Sequence, residues 1–240
     1  MPIIPVKAIQ LLARRTSEDA RQYAYRVLSF CILEFILFPK QKLNEVSLAE
    51  SLEVSRTPVH DTFFRLFREN YVELYPKRGA FVSTIDPDRV EQAVWSHVQL
   101  GKAALNTIYI KNPDPSQLFT LRYLNHQIED MLLRRELDGI SRAITDYMHQ
   151  LYILAGDMDF IWESLLKTDV DFRRILYLSA LNTTVAEGFV YELSSLTDAI
   201  SERNYDRSCD IYTSILSRTL KLLKPVQQIH PDYFASHKIS

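Results

Sequence analysis

Glycine and cysteine are scarce in this sequence. Among 240 residues there are 5 Gly and 2 Cys. Because glycine supplies the positive φ angles that many tight β-turns need, its scarcity favours helices over a turn-rich β fold. The two cysteines, Cys31 and Cys209, provide no disulfide framework, which fits a reducing compartment. These shortages argue against disulfide-rich secreted domains and Gly-rich low-complexity chains.

Long apolar runs and a large net charge are also missing. The most apolar stretch, residues 30–38, contains Glu34 and is much shorter than the ~20 apolar residues of a membrane helix. Residues 1–12 lack the pattern of a secretory signal, so we expect a cytoplasmic protein with no membrane partner. The net charge is −2, so the chain as a whole carries no basic signal for nucleic acid.

Charge is nevertheless distributed unevenly. Residues 1–85 carry 12 Lys and Arg against 9 Asp and Glu, a net charge of +3. The remaining residues carry 16 against 21, a net charge of −5. A basic front and an acidic rear indicate that two parts of the chain do different work.

The basic front has the local pattern of a winged helix. We predict a helix over residues 16–37 capped by Ser17, then a short helix at residues 48–52 capped by Ser47. A second short helix follows at once, with Pro58 at its first position. Two strands, residues 71–75 and 80–83, then flank a turn with a glycine. Helix-turn-helix followed by a hairpin is the winged-helix arrangement.

Residues beyond this front show helical periodicity alone. We therefore predict a mainly α protein in which residues 1–84 form a winged helix-turn-helix, residues 85–225 form an all-helical bundle and residues 226–240 form a tail. The expected helices are 87–110, 115–134, 137–155, 158–180, 184–202 and 205–223.

The winged helix contains candidate DNA contacts at two places. A recognition helix presents its N-terminal residues to base edges in the major groove, and Arg56 there can pair with guanine or phosphate. Hydroxyl groups at the same place suit phosphate or a helix cap. Cations at the turn of the hairpin can add contacts to the DNA backbone. The candidates are Ser55, Arg56, Thr57 and His60 in the helix, and Lys77, Arg78 and Gly79 in the turn.

The stretch from residue 43 to residue 82 resembles the GntR family of bacterial transcription regulators. The matching residues are Leu48-Ala49-Glu50, Val54-Ser55-Arg56-Thr57-Pro58-Val59, Arg65-Leu66 and Arg78-Gly79-Ala80-Phe81-Val82. The resemblance implies a regulator, by default a repressor, that binds double-stranded operator DNA as a homodimer. His60 stands where the family usually has a DNA-contacting arginine, and we expect this histidine to be mostly neutral near pH 7.

The helical rear resembles the FCD effector domain of the fatty-acid-regulator-like branch. That resemblance implies a central cavity for a small organic acid, and in many members a metal bound by one Asp and three His. The later histidines are absent here, with Leu193 and Ile215 near their places, so we expect no metal and no cofactor. The Asp-x-x-Phe-His stretch fits either residues 145–149 or residues 169–173. The effector-binding candidates are therefore His97, Asp146, His149, Asp169 and Arg173.

Sequence motifs of common enzymes are absent. The chain has no phosphate-binding Gly-rich loop, no His-Glu-x-x-His and no Gly-x-Ser-x-Gly. We therefore expect a protein that is not an enzyme. The alternative is an interaction or scaffold protein that has a winged helix but no longer binds DNA or senses a ligand.

Overall fold

The computed structural model describes residues 4–5, 9–10 and 12–235, and the chain divides into two compact units. The first unit runs to Asp86 and also includes residues 230–235. The second unit is Pro87–Ile229. The expected tail at residues 226–240 is therefore a wrong prediction for the residues described. Val226 to Ile229 complete the last helix, and the segment from His230 packs within the first unit.

From Ala20 to Val82 the first unit contains three α-helices and a three-stranded antiparallel sheet. In chain order these elements are α1 Ala20–Leu33, β1 Lys42–Leu43, α2 Glu45–Ser51, α3 Arg56–Arg68, β2 Val72–Tyr75 and β3 Gly79–Val82. Strand β1 was not predicted, because two residues are too short to show an alternating pattern. It pairs with β3, which in turn pairs with β2, so the sheet order is β1-β3-β2.

The helix caps differ from the predicted ones. Asp19 rather than Ser17 caps α1, and its Oδ1 accepts the backbone N–H groups of Arg21 and Gln22 at 2.8 Å. The side chain of Gln22 accepts the Asp19 N–H in return, which completes a capping box. Together the two side chains satisfy three backbone N–H groups at the start of α1.

The helix-turn-helix is likewise shifted from its predicted bounds. Asn44 caps α2, accepting the N–H groups of Val46 and Ser47, so Ser47 lies inside the helix that it was expected to cap. Helix α3 begins at Arg56, which makes Pro58 its third residue rather than its first. Proline still fits there, because the first-turn N–H groups have no partner inside the helix.

The second unit is a bundle of seven α-helices in the described residues. The helices are α4 Pro87–Lys111, α5 Phe119–Arg134, α6 Ile140–Leu154, α7 Asp159–Leu166, α8 Val170–Ala180, α9 Thr183–Ser201 and α10 Tyr205–Ile229. Helices α4 and α10 are the longest, and they pack against each other with α8 and α9 beside them. Pro115–Leu118 and Leu137–Gly139 form 3₁₀ turns ahead of α5 and α6.

One predicted helix, residues 158–180, is wrong, because the structure contains two helices there. Helix α7 ends at Leu166, and α8 starts at Val170. The side chain of Arg173 donates to the Leu166 carbonyl at 2.7 Å, so a guanidinium occupies an acceptor that a continuous helix would use. The break also places Asp169 inside the bundle, where it is 1% exposed. None of the helices in the described part of the chain has the length and apolarity that crossing a bilayer requires.

Candidate nucleic-acid interface and helical cavity

Helix α3 presents the predicted recognition residues on one exposed face. Its opposite face is buried through Pro58, Val59, Thr62, Phe63 and Leu66. Ser55, Arg56, Thr57 and His60 are all exposed. Because residues four apart lie on the same side of a helix, Arg56 and His60 share one surface. The Ser55 hydroxyl makes no capping hydrogen bond, so it stays available to an external partner.

His60 does not stand alone on this face. Its Nδ1 lies 2.9 Å from Oε1 of Glu45, the first residue of α2. The imidazole also meets the ring of Phe64 edge-on, with the two centroids 5.0 Å apart. The hydrogen bond to Glu45 raises the pKa of His60 above its ordinary value. The Glu45 carboxylate therefore favours protonation of a ring that we expected to be mostly neutral near pH 7.

The β2–β3 hairpin holds the predicted wing residues at its tip. The backbone of Lys77 has a φ of 60° and that of Gly79 a φ of 96°, a value at which a side chain would be strained. The Arg78 N–H donates to the Tyr75 carbonyl at 3.1 Å and closes the turn. The Arg78 guanidinium lies 5.4 Å from the centroid of the Tyr75 ring, which favours a fixed position for its charge. Lys77, Arg78 and Gly79 are all exposed.

A third cation beside the wing was missed in the sequence. Lys42 pairs with Phe81 across β1 and β3, and it is exposed. A Cβ atom built on Gly79 would lie 3.7 Å from Lys42 Cε, so the lysine side chain passes next to the wing turn. The available signal was a lysine directly before buried Leu43, which is too short a pattern to identify a strand.

Arg65 has a structural role, although its side chain is 49% exposed. Its guanidinium lies 3.5 Å from the centroid of the Tyr25 ring, which belongs to α1. Its Nε also donates to Glu69 at 3.1 Å. Burial raises the pKa of Tyr25, and the hydroxyl group donates to the same Glu69 carboxylate. Arg65 therefore helps to join α3 to α1, whereas Arg68 is simply exposed.

The second unit contains a cavity lined mainly by apolar side chains. Helices α4, α6, α7, α8, α9 and α10 all contribute to its wall. Apolar residues such as Trp162, Phe172 and Phe189 form most of the lining. The polar residues of the lining are His97, Thr145, Asp169, Arg173 and Thr219. The structure thus brings together three of the five effector-binding candidates.

Asp169 is the centre of the polar part of this cavity. Its Oδ2 lies 3.0 Å from His97 Nε2, and its Oδ1 accepts a hydrogen bond from Arg173 Nε at 2.6 Å. Burial opposes ionisation of this carboxyl, but Arg173 and His97 outweigh that effect and hold the pKa of Asp169 below its ordinary value. The buried carboxylate therefore binds both of the neighbouring basic side chains.

Asp146 and His149 lie outside the cavity lining, contrary to their selection as effector-binding candidates. Asp146 is exposed. His149 Nε2 lies 2.8 Å from Asp159 Oδ1, and its ring stacks on Trp162 with centroids 5.3 Å apart. Of the two possible placements of the Asp-x-x-Phe-His stretch, residues 169–173 bring their charged side chains into the cavity.

The cavity residues do not fit a bound metal. Oδ1 of Asp169 accepts a hydrogen bond from Arg173, and Oδ2 lies against the His97 ring. Both oxygen atoms are therefore occupied, and the adjacent Arg173 cation would repel a metal ion. Among the residues that the structure describes, there is no group of three or more His, Cys, Asp or Glu side chains placed to hold a metal ion.

Comparison with known proteins matches part of the first unit to the family that the sequence resembles. Residues 21–82 match the family model described as "Bacterial regulatory proteins, gntR family". The chain is 25% identical over 227 residues to the HTH-type transcriptional repressor RspR of Escherichia coli strain K12, covering 91% of this chain and 95% of the relative. An uncharacterized HTH-type transcriptional regulator of Streptomyces ambofaciens is also 25% identical, with 94% of each chain covered.

A solved structure shares the fold over most of the chain. The structure of E. coli McbR/YncC superposes with a TM-score of 0.76 at 17% identity, covering 87% of this chain and 99% of the other. The likeness therefore extends beyond the winged helix into the helical part of the molecule.

Proposed function

We propose that the chain is a DNA-binding transcription regulator acting as a repressor, because residues 21–82 match the model of the gntR family of bacterial regulatory proteins. The observation that carries the proposal is the exposed face of α3, on which Arg56 and His60 lie one turn apart at the start of the helix. A recognition helix needs this arrangement to reach base edges in the major groove.

The wing extends the proposed contact surface. Lys77 and Arg78 are exposed at its tip, and Lys42 lies beside Gly79. These cations suit DNA phosphates, whose contacts position a protein on the duplex without reading sequence. A scaffold protein that no longer binds DNA would have no use for exposed cations at both the recognition helix and the wing.

We infer that the protein works in the cytoplasm and is not an enzyme.

We propose that the second unit is an FCD-type domain that dimerises the protein and senses a small molecule. Dimerisation follows from the geometry of DNA recognition, since one recognition helix reads a half-site and a two-fold dimer reads two. A ligand in the cavity would contact helices α8 and α10, which both line it. The organic acid that the resemblance implies would have to displace Asp169 before it could pair fully with Arg173. No cofactor is part of this proposal.

The salt dependence of DNA affinity tests the first step of this function. Because Lys and Arg release counterions when they neutralise phosphates, the logarithm of the binding constant should fall linearly with the logarithm of the salt concentration. In Lys77→Ala we expect the magnitude of that slope to decrease by about one, equally for all DNA sequences. Fluorescence anisotropy with labelled duplexes at several salt concentrations measures the binding constant and the slope of its salt dependence. The exposed Lys167→Ala in the second unit is the control. A slope near zero for the unmodified protein would contradict DNA binding through these cations.

A further inference from the structure

The imidazole ring of His60 is held from one side and free on the other. Glu45 from α2 binds Nδ1, and Phe64 meets the ring edge-on. Two neighbours from different elements therefore fix the orientation of the ring. Nε2 makes no hydrogen bond among the residues described, and the His60 side chain is 53% exposed. Nε2 is thus the ring atom left for an external partner.

The chemistry of Glu45 determines which hydrogen-bonding role Nε2 takes. A carboxylate can accept hydrogen bonds but cannot donate them, so the neutral ring must carry its proton on Nδ1. Nε2 of the neutral ring is then an acceptor. When the ring is protonated, both nitrogen atoms are donors. Protonation therefore changes the exposed atom from acceptor to donor, while the contact to Glu45 keeps the ring in place.

We propose that Glu45 makes His60 a proton-dependent reader of DNA bases, in which Nε2 donates to guanine when the ring is protonated and accepts from an amino group of cytosine or adenine when it is neutral. In the major groove, guanine presents the acceptors O6 and N7, whereas cytosine N4 and adenine N6 are donors. His60 lies one turn after Arg56 on the exposed face of α3, where base edges are reached. The inference rests on the proposed DNA-binding function.

The charged groups around His60 favour the protonated ring. Glu45 faces the ring from α2, and Asp61 is its neighbour on α3. Asp61 is itself paired with Arg21 of α1 at 2.9 Å. The hydrogen bond that Nδ1–H of His60 donates to Glu45 raises the pKa of His60 most, and the charge of Asp61 adds to it. The guanine-reading form is therefore complete at low pH and is lost as the pH rises through the raised pKa.

The position of the proton is the first thing to measure. Full-length protein labelled with ¹⁵N-histidine should show the Nδ1–H tautomer of His60 above its pKa. Glu45→Gln removes the negative charge, so the pKa of His60 should fall. Its amide can either accept from Nδ1–H or donate to Nδ1, so the two tautomers of the neutral ring should become mixed. Observation of the Nε2–H tautomer in the unmodified protein would overturn the proposal, because Nε2 would then donate at every pH.

Base preference is the second measurement, made by selecting bound duplexes from a random library near pH 6 and near pH 8.5. One position of the selected site should favour guanine roughly tenfold at low pH and lose that preference at high pH, since a good contact to a base contributes ~1–3 kcal/mol. In Glu45→Gln the loss of guanine preference at high pH should be smaller, because part of the neutral ring then carries its proton on Nε2. His60→Gln is the control, because a glutamine does not titrate.

The outcomes separate this inference from the proposed function. A preference that is constant across the pH range, or that changes equally in His60→Gln, would overturn the reading role of His60 but leave DNA binding intact. The absence of any sequence preference at either pH, in every variant, would contradict the proposed function as well.

Discussion

Reversing the charge of Arg56, Lys77 and Arg78 together should lower DNA affinity by roughly 1000-fold or more. Each of these side chains is exposed and is proposed to contact a base or a phosphate. Loss of a single such contact costs ~1–3 kcal/mol, so three lost contacts cost ~3–9 kcal/mol, and the new carboxylates add repulsion from the phosphates. Affinity for a selected duplex, measured by anisotropy at fixed salt, gives the result directly.

A matched variant separates local contacts from overall charge. Lys167, Lys221 and Lys224 are exposed cations of the second unit. Reversing these three changes the net charge by the same amount, yet it should reduce affinity far less. Equal losses in the two triple variants would show that net charge alone controls binding, and the proposed recognition surface would then be wrong.

Phe234→Ala should destabilise the first unit by about 3–5 kcal/mol, the usual cost of removing a buried phenylalanine ring. Phe234 is 2% exposed and forms a parallel bridge with Ile85, which is fully buried. The Ile85 N–H donates to the Tyr233 carbonyl at 2.8 Å, and the Ala235 N–H donates to the Ile85 carbonyl at 3.0 Å. Tyr233 stacks on Phe35 with centroids 5.2 Å apart. The C-terminal segment is therefore part of the core of the first unit.

The two tryptophans provide an internal control for this experiment. Trp95 and Trp162 both lie in the second unit, so their fluorescence reports the unfolding of that unit. Hydrogen exchange followed by mass spectrometry should show faster exchange in α1 and α3 of Phe234→Ala, with little change in the tryptophan transition. Phe160→Ala removes a ring that is 77% exposed and should have little effect on either. Unchanged exchange in α1 and α3 would contradict a structural role for the C-terminal segment.

Local signals in the sequence were sufficient for most of the fold. The winged helix was predicted from Pro58, Gly79 and the alternating apolar residues of the hairpin. Each of these signals determines the local backbone conformation and needs no distant contact. The long helices α4 and α10 follow from their periodicity. The break at residues 167–169 could not be predicted from periodicity, because it depends on the contacts of Asp169 with side chains of other helices. The return of residues 230–235 to the first unit depends in the same way on Ile85.

Candidate site residues could be predicted where their position in a local motif was sufficient, without contacts to other helices. Arg56 and Lys77 were identified from their places in the winged helix, and both are exposed. The pairing of His60 with Glu45 joins residues of different helices, so no local pattern shows it. Asp146 and His149 were selected from one of two sequence placements, and only the packing of the bundle shows that they lie outside the cavity lining.

The most direct test of the central claim is selection of bound duplexes from a random DNA library with the full-length protein. The account predicts enrichment of a site with two inverted half-sites, bound roughly 1000-fold or more tighter than random duplex, and loss of that enrichment in Arg56→Ala. Equal weak affinity for all duplexes, unchanged by Arg56→Ala, would contradict the assignment of this protein as a sequence-specific regulator.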